Sequence, residues 1–188
     1  MRLTFVTAGL AMLSMVSCSK NDSNTPSSQQ ALEAHSWQQT NSSASASNSN
    51  SAQNQRPVAT FNASQDFTLT LNSALGAAGG NNAAGATITG KWSYDGSNIT
   101  ISNASISYTV NGSTATNFQA VVNGYAGGLA AFNIALQAYC SLVQVDASGN
   151  LSFSGGSSGA VTWAVKQLST TALSVTTSAS TKADFIAQ

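Results

Sequence analysis

The chain has 188 residues, carries six Lys and Arg against six Asp and Glu, and is charged at only 6% of its positions. The length predicts one domain with extensions, and the balance of charge excludes a basic patch for nucleic-acid phosphates or a charge run that would steer ionic partners. The polar residues are mainly Ser, Thr, Asn and Gln, which favours a β-rich surface protein over a cytosolic helical enzyme.

The N-terminus has the pattern of an export signal followed by an acylation site. Arg2 precedes a largely apolar run over 3–16, which has signal-peptide length and is shorter than an ordinary membrane span of ~20 residues. The residues MVSC that end at Cys18 resemble a bacterial lipobox, in which the Cys is diacylated and becomes the new N-terminus. We expect a signal peptide over 1–17 and a membrane anchor at Cys18, with an uncleaved anchor or an ordinary secretory signal as alternatives.

The residue after the acylation site bears on location. Ser19 stands where an Asp would favour retention in the inner membrane, so we expect the bacterial outer membrane, on its periplasmic face or at the cell surface. An acylated Cys18 cannot pair with Cys140. The remaining thiol is then expected to be a small, buried, apolar side chain.

A polar tether is predicted over 18–55. Ser, Asn and Gln dominate it, and such a segment cannot bury enough apolar surface to offset the entropy of ordering. One interruption at 31–40 contains Trp37 and is predicted to dock as an opening strand or a short helix. The β domain is expected over 56–188.

The first strands of the predicted domain follow directly. A short apolar run at 58–61 and a turn at 62–66 precede a strand in which Phe67, Leu69 and Leu71 alternate with polar residues. The segment 73–85 is rich in Gly, Ala and Asn and predicts a loop between strands.

The clearest element is a predicted β-hairpin over 88–101. Ile88, Gly90, Trp92 and Tyr94 share one parity with Thr, Lys and Ser on the other, as expected of a strand with one buried face. The residues DGSN at 95–98 predict the turn, and the apolar parity resumes on a second strand. A further strand is predicted over 105–110, closed by the turn dipeptide Asn111-Gly112.

The segment 114–145 fits two patterns. A helix, predicted near 129–143, would share one face among Leu129, Phe132, Leu136, Tyr139, Cys140 and Val143. A strand would instead bury Phe132, Ile134, Leu136, Ala138, Cys140 and Leu142. The preceding Gly127-Gly128 and the Ala-rich start favour the helix.

After this segment the first pattern returns. Residues 146–153 match 62–69 in type, 161–165 match 90–94, and 172–176 match 98–102. The repeat predicts two meanders of about four strands each, and therefore an all-β antiparallel meander of about eight strands forming a small barrel or sandwich.

Several short motifs resemble the lipocalin-like lipoproteins of Bacteroidota. They are the lipobox, a Trp soon after the tether, Thr60-Phe61-Asn62, Gly90-Lys91-Trp92, Ile99-Thr100-Ile101 and the run 167–173. The resemblance covers 32–188 and implies a small β-barrel whose last strand lies near 183–186. The chain differs from the lipocalin pattern at Trp37, where His35 stands in place of the Gly of Gly-x-Trp.

Catalytic chemistry is not indicated. His35 is the single His and lies beside the tether, so Ser-His-Asp and Cys-His arrangements are improbable. Clusters of His and Cys for a transition metal are absent from the sequence. The acids Asp66, Asp95 and Asp146 lie in predicted turns, and Asp184 is isolated. We expect no enzyme and no cofactor.

Four aromatic residues invite a binding interpretation. Trp92, Tyr94, Tyr108 and Trp163 share parity with apolar residues, so they are expected to fill the core, with lining of a ligand pocket as the alternative. No charged residue of these strands points inward, so a ligand would be neutral and largely apolar. The leading hypothesis is an outer-membrane-anchored, non-catalytic binding or envelope-structural module. A surface adhesin or assembly subunit is the alternative.

Overall fold

The computed structural model describes residues 27–40, 56–71, 75, 84–110, 113–115, 117–118, 122, 128–146, 149–156 and 159–188. Helices α1 (Ser28–Glu33) and α2 (Gly128–Gln137) accompany the strands β1 (Ser36–Gln39), β2 (Val58–Phe61), β3 (Asp66–Thr70), β4 (Ala84–Tyr94), β5 (Asn98–Val110), β6 (Ser113–Ala115), β7 (Val143–Val145), β8 (Leu151–Phe153), β9 (Val161–Leu168), β10 (Ala172–Thr177) and β11 (Lys182–Ala187). None of the helices in the described ranges reaches the length and apolarity needed to cross a bilayer.

Eight of these strands close into an antiparallel barrel. Their order is β4-β3-β2-β1-β11-β10-β9-β5, and β5 pairs with β4 to complete the ring. β6 pairs with the far end of β5, and β7 and β8 form a separate two-stranded sheet. The predicted all-β fold of about eight antiparallel strands is therefore confirmed.

The eight barrel strands are not those that the repeat predicts. β7 and β8, the start of the second predicted meander, lie outside the barrel. β1 and β11 take their places, and Trp37 on β1 pairs with Ala59 and Ala187. The barrel thus begins at Ser36, inside the segment 31–40 that the sequence predicts to dock. α1 precedes it, and the indole of Trp37 donates a hydrogen bond to the Leu32 carbonyl at 3.0 Å.

The repeat does hold for the turns. In the turns 62–66, 146–150 and 177–181, an oxygen of the first side chain accepts the backbone N–H of the fifth residue. The fourth residue of each has a positive φ: Gln65, Gly149 and Ser180. The equivalence predicted between the first two turns is confirmed, and the third turn of this kind joins β10 to β11.

β5 is one 13-residue strand where the sequence predicts two. The register with β4 shifts opposite Gly90, and Asn103 adopts a φ of 51°, so one extra residue is inserted on β5. Because the extra residue reverses the parity, Ile101 before it and Ile106 after it both face the core. A Cβ at Gly90 would lie 2.8 Å from the Ser102 carbonyl oxygen, which explains the Gly.

The helical interpretation of the uncertain segment is correct over 128–137. Phe132 and Leu136 are buried, whereas Ile134, which a strand would have buried, is 74% exposed. The helix ends at Gln137, short of the predicted 143, and Val143 belongs to β7. The side chain of Gln39 on β1 donates to the Ser141 hydroxyl at 2.8 Å and ties this segment to the barrel. The predicted turn 111–112 and most of the predicted loop 73–85 lie outside the described residues.

Candidate functional site

The four aromatic residues singled out in the sequence lie in or against the barrel core. Trp92, Trp163 and Tyr108 are buried, and Tyr94 is partly buried with its hydroxyl donating to the Gly96 carbonyl at 2.9 Å. None of them lines either of the two cavities described below. Trp92 lies edge-on to Phe61, with ring centroids 5.3 Å apart, and Tyr108 packs against Phe118 instead. These contacts fill the interior in the way aromatic side chains usually do.

The buried indoles differ in their hydrogen bonding. Trp37 donates to the Leu32 carbonyl and Trp92 donates to the Asn62 carbonyl, both at 3.0 Å. Trp163 is 0% exposed, and its Nε1 has no hydrogen-bond partner among the described residues. A buried donor without an acceptor is uncommon in folded proteins. Trp163 is therefore the unusual member of the three.

An apolar cavity of about 260 Å³ lies between the β4–β5 wall and the β7–β8 hairpin. Ile88 and Ile106, a directly paired couple on β4 and β5, form one side with Ala104. Leu151 and Phe153 of β8 form the other. We call this space the β5–β8 cavity. Apolar walls with a few polar groups nearby are typical of small-molecule sites.

Two local features create the cavity. The extra residue in β5 turns Ala104 and Ile106 toward the core side, where regular pairing would have turned them out. The backbone N–H of Ala104 then donates to the Gly159 carbonyl at 2.9 Å, which joins β5 to the segment after the hairpin. The hairpin is held at its other end by Ser154, whose N–H donates to the Leu142 carbonyl at 2.8 Å.

The polar part of the β5–β8 cavity comes from the turn between β7 and β8 and from Ser152. Asp146 is the charged residue in this lining, and its Oδ1 accepts the Asn150 N–H at 2.9 Å. Nearby, burial raises the pKa of the Tyr108 hydroxyl. The negative charge of Asp146 raises this pKa further, and a hydrogen bond with the Leu151 backbone lowers it in part. The Tyr108 phenol is therefore neutral at neutral pH.

A second recess of about 340 Å³ lies on the α2 side of the same turn. Leu129 and Val145 line it, and it shares Asp146 with the first cavity. The Oδ1 of Asn133 accepts the Val145 N–H at 2.8 Å and fixes α2 to β7. This recess is the more open of the two. We therefore take the more enclosed β5–β8 cavity as the candidate site.

The titratable groups considered in the sequence stand apart from this cavity, except Asp146. The ring of His35 lies edge-on to Trp37, with centroids 5.8 Å apart. Asp95 lies in a turn, as predicted, whereas Asp66 follows its predicted turn as the first residue of β3; both bond neighbouring residues. Burial raises the pKa of the Cys140 thiol to about 12, so this side chain is a buried, unreactive thiol at neutral pH.

Among the described residues, no group of three or more His, Cys, Asp or Glu could hold a metal ion. Cys18 lies outside the described residues.

Sequence reasoning missed Phe153 and Ala104 as site residues. The alternation of Leu151 and Phe153 predicts a strand, but local alternation does not indicate which sheet or cavity a strand meets.

Comparisons of the chain with protein-family models, curated proteins and solved structures found no match.

Proposed function

We propose that the protein is a non-catalytic binding module that holds a small, neutral, largely apolar ligand in the β5–β8 cavity. The apolar wall of Ile88, Ala104, Ile106, Leu151 and Phe153 is the observation that carries this proposal. An apolar cavity of about 150 Å³ is enough to bind benzene. The present volume of about 260 Å³ suits a ligand of one small ring with a substituent.

The charge of the lining supports a neutral ligand. An anion placed against the apolar wall would lose its hydration without gaining a countercharge, at a cost of several kcal/mol. The carboxylate of Asp146 already accepts a backbone hydrogen bond from Asn150 at the turn. Buried Tyr108 remains a neutral phenol, since its pKa is raised. Neither group offers a countercharge to an anionic ligand.

We also propose that the barrel is carried by a lipid anchor at Cys18 in the bacterial outer membrane. The lipobox and the polar segment up to residue 55 support it, as does the resemblance to lipocalin-like lipoproteins. Cells grown with labelled palmitate test the anchor. The wild-type chain is expected to incorporate label, and the Cys18→Ser chain none. Equal labelling of both chains would contradict acylation at Cys18.

Binding is tested with the full chain carrying Cys18→Ser and with methylenecyclohexane as the probe. A ligand that binds only the folded state raises the melting temperature with its concentration. We expect this rise in the parent and its loss in Ala104→Leu, which fills the cavity from β5. Ser105→Leu is the matched control, because Ser105 is the next residue of β5 and lies on its exposed outer face. This variant is expected to keep the rise in melting temperature.

Two outcomes would contradict the proposal. One is a parent chain whose melting temperature does not respond to the probe. The other is an Ala104→Leu chain that stays folded and responds like the parent, since binding would then lie outside the cavity.

A surface adhesin or assembly subunit remains the second candidate, and one observation favours it. Thr68, Thr89 and Ser105 stand side by side on β3, β4 and β5, and the hydroxyls of Thr89 and Ser105 are 3.1 Å apart. Thr89 and Ser105 are exposed and Thr68 is half-buried, so the row offers a neutral contact surface. Attachment or assembly that is lost in Thr89→Lys/Ser105→Lys but unchanged in Ala104→Leu would favour this candidate.

A further inference from the structure

The indole N–H of Trp163 is a buried hydrogen-bond donor that finds no acceptor in the part of the chain that the structure describes. Leaving such a group unpaired destabilises the folded state. The indoles of Trp37 and Trp92 both reach a backbone carbonyl. The missing acceptor at Trp163 therefore needs an explanation, and a ligand atom can supply one.

Trp163 packs against one residue of the wall of the β5–β8 cavity. The ring of Phe153, which lines that cavity, meets the indole edge-on with centroids 6.0 Å apart and an interplanar angle of 83°. Phe67 meets the indole in the same manner at 5.7 Å. Phe153 therefore contacts both the cavity and the Trp163 indole.

Phe153 is carried by an element that can shift without opening the barrel. It ends β8, a three-residue strand, and within the described residues the strand partner of β8 is β7. The eight-stranded ring does not include this hairpin. A displacement of Phe153 would break ring contacts but no barrel pairing, and motions of this kind are drawn from the less stable parts of a fold.

We infer that the ligand carries a hydrogen-bond acceptor that takes the Trp163 indole N–H while its apolar body rests against Ile88, Ala104 and Ile106. This inference rests on the proposed function and narrows the ligand to small neutral molecules with a carbonyl, ether or hydroxyl oxygen on an apolar body. The acceptor reaches the indole when Phe153 moves aside. The ligand then accepts the hydrogen bond that none of the described protein groups accepts.

A matched pair of probes isolates the acceptor. Cyclohexanone and methylenecyclohexane have nearly the same shape, and only the first has a carbonyl oxygen. A net hydrogen bond contributes about 0.5–1.5 kcal/mol, which corresponds to a change of about two- to tenfold in affinity. We expect Trp163→Phe to weaken cyclohexanone binding by this factor and to leave methylenecyclohexane binding unchanged.

The indole proton itself gives a readout that does not depend on the variant folding. In ¹⁵N–¹H spectra of the Cys18→Ser chain, the Trp163 indole signal is assigned through its contacts with the ring protons of Phe67 and Phe153. Cyclohexanone is expected to move this proton downfield, and methylenecyclohexane is not. The Trp37 indole, already bonded to Leu32, serves as the internal control.

The outcomes separate the two proposals. If both probes bind and the Trp163 indole proton does not move with cyclohexanone, the acceptor inference is overturned while the binding function stands. If neither probe binds, the binding function fails and the inference fails with it. A selective downfield shift with cyclohexanone supports both.

Discussion

The backbone N–H of Ala104 donates a hydrogen bond to the carbonyl of Gly159 at 2.9 Å. This bond joins β5, next to its inserted residue, to the segment that follows the β7–β8 hairpin. Both residues line the β5–β8 cavity, so the bond fixes the spacing between two of its walls. The binding properties of the cavity should therefore depend on the backbone geometry at Gly159.

Gly159→Ala is expected to weaken probe binding as well as stability. Gly159 has a φ of 85°, and a side chain there costs about 1–2 kcal/mol, which the backbone can relieve by moving away from Ala104. Gly96→Ala is the control: its φ is 97°, nothing lies within 4 Å of an added Cβ, and its turn is remote from the cavity lining. Urea unfolding and methylenecyclohexane titration measure both effects. Equal weakening of binding in the two variants would contradict a role for the Ala104–Gly159 bond.

Trp37→Phe is expected to destabilise the fold more than Trp163→Phe does. Both indoles are 0% exposed, and each substitution removes a similar buried area. Trp37→Phe also deprives the Leu32 carbonyl of its donor, whereas Trp163→Phe removes an N–H that no described residue accepts. The difference in the free energy of unfolding should be about 1–3 kcal/mol. Equal losses in urea titrations would argue against this difference between the two indoles.

Acidification is expected to reduce stability, and Asp184 is expected to contribute. Desolvation raises the pKa of its carboxyl, but the Ser174 hydroxyl, 2.6 Å away, and the Lys182 ammonium outweigh it and lower the pKa below its usual 3.8. A folded-state pKa that is lowered stabilises the protein above the unfolded value, and this contribution is lost as pH falls through the folded value.

The urea midpoint of the parent should therefore fall between about pH 6 and pH 3, and that of Asp184→Asn should fall less. The pKa values of two other carboxyls are also lowered, that of Asp66 chiefly by a hydrogen bond from Lys91 and that of Asp95 chiefly by one from Asn98. These two groups should still lower the stability of Asp184→Asn at acidic pH. An identical fall in parent and variant would exclude a contribution from Asp184.

Cys140 is expected to resist alkylation in the folded protein. In the Cys18→Ser chain it is the single Cys; it is fully buried, and burial raises its pKa to about 12. The reactive species is the thiolate, so iodoacetamide at about pH 8 should label it only after unfolding. Ser93→Cys on the exposed face of β4 is the control and should be labelled in the native state. Rapid native labelling of Cys140 would contradict its placement in the core.

The barrel strands were predictable wherever a regular alternation continued without interruption. Ile88 and Trp92 on β4 face the core as their parity predicts. β5 was divided in two because the apolar positions change parity between Ile101 and Ile106, and the inserted residue at Asn103 accounts for that change. A single inserted residue in a strand has no characteristic amino-acid type, so the sequence pattern alone cannot distinguish it from the end of a strand.

Assignments that depend on distant contacts could not be derived from local pattern. The alternation of Leu151 and Phe153 resembles that of Phe67 and Leu69, yet β3 joins the barrel and β8 does not. The cavity depends on the same long-range placement, since Phe153 reaches Trp163 only because the hairpin folds against the barrel. The sequence favours the helix for α2 through Gly127-Gly128 and the Ala-rich start, but the end of the helix at Gln137 and the exposure of Ile134 follow from the tertiary structure.

The central claim is that the β5–β8 cavity binds a small neutral ligand. Its most direct test is a crystal structure of the full Cys18→Ser chain soaked with methylenecyclohexane. We expect ring-shaped density between Ile106 on β5 and Phe153 on β8. A cavity closed by its own side chains, or probe density only elsewhere on the protein, would contradict the claim.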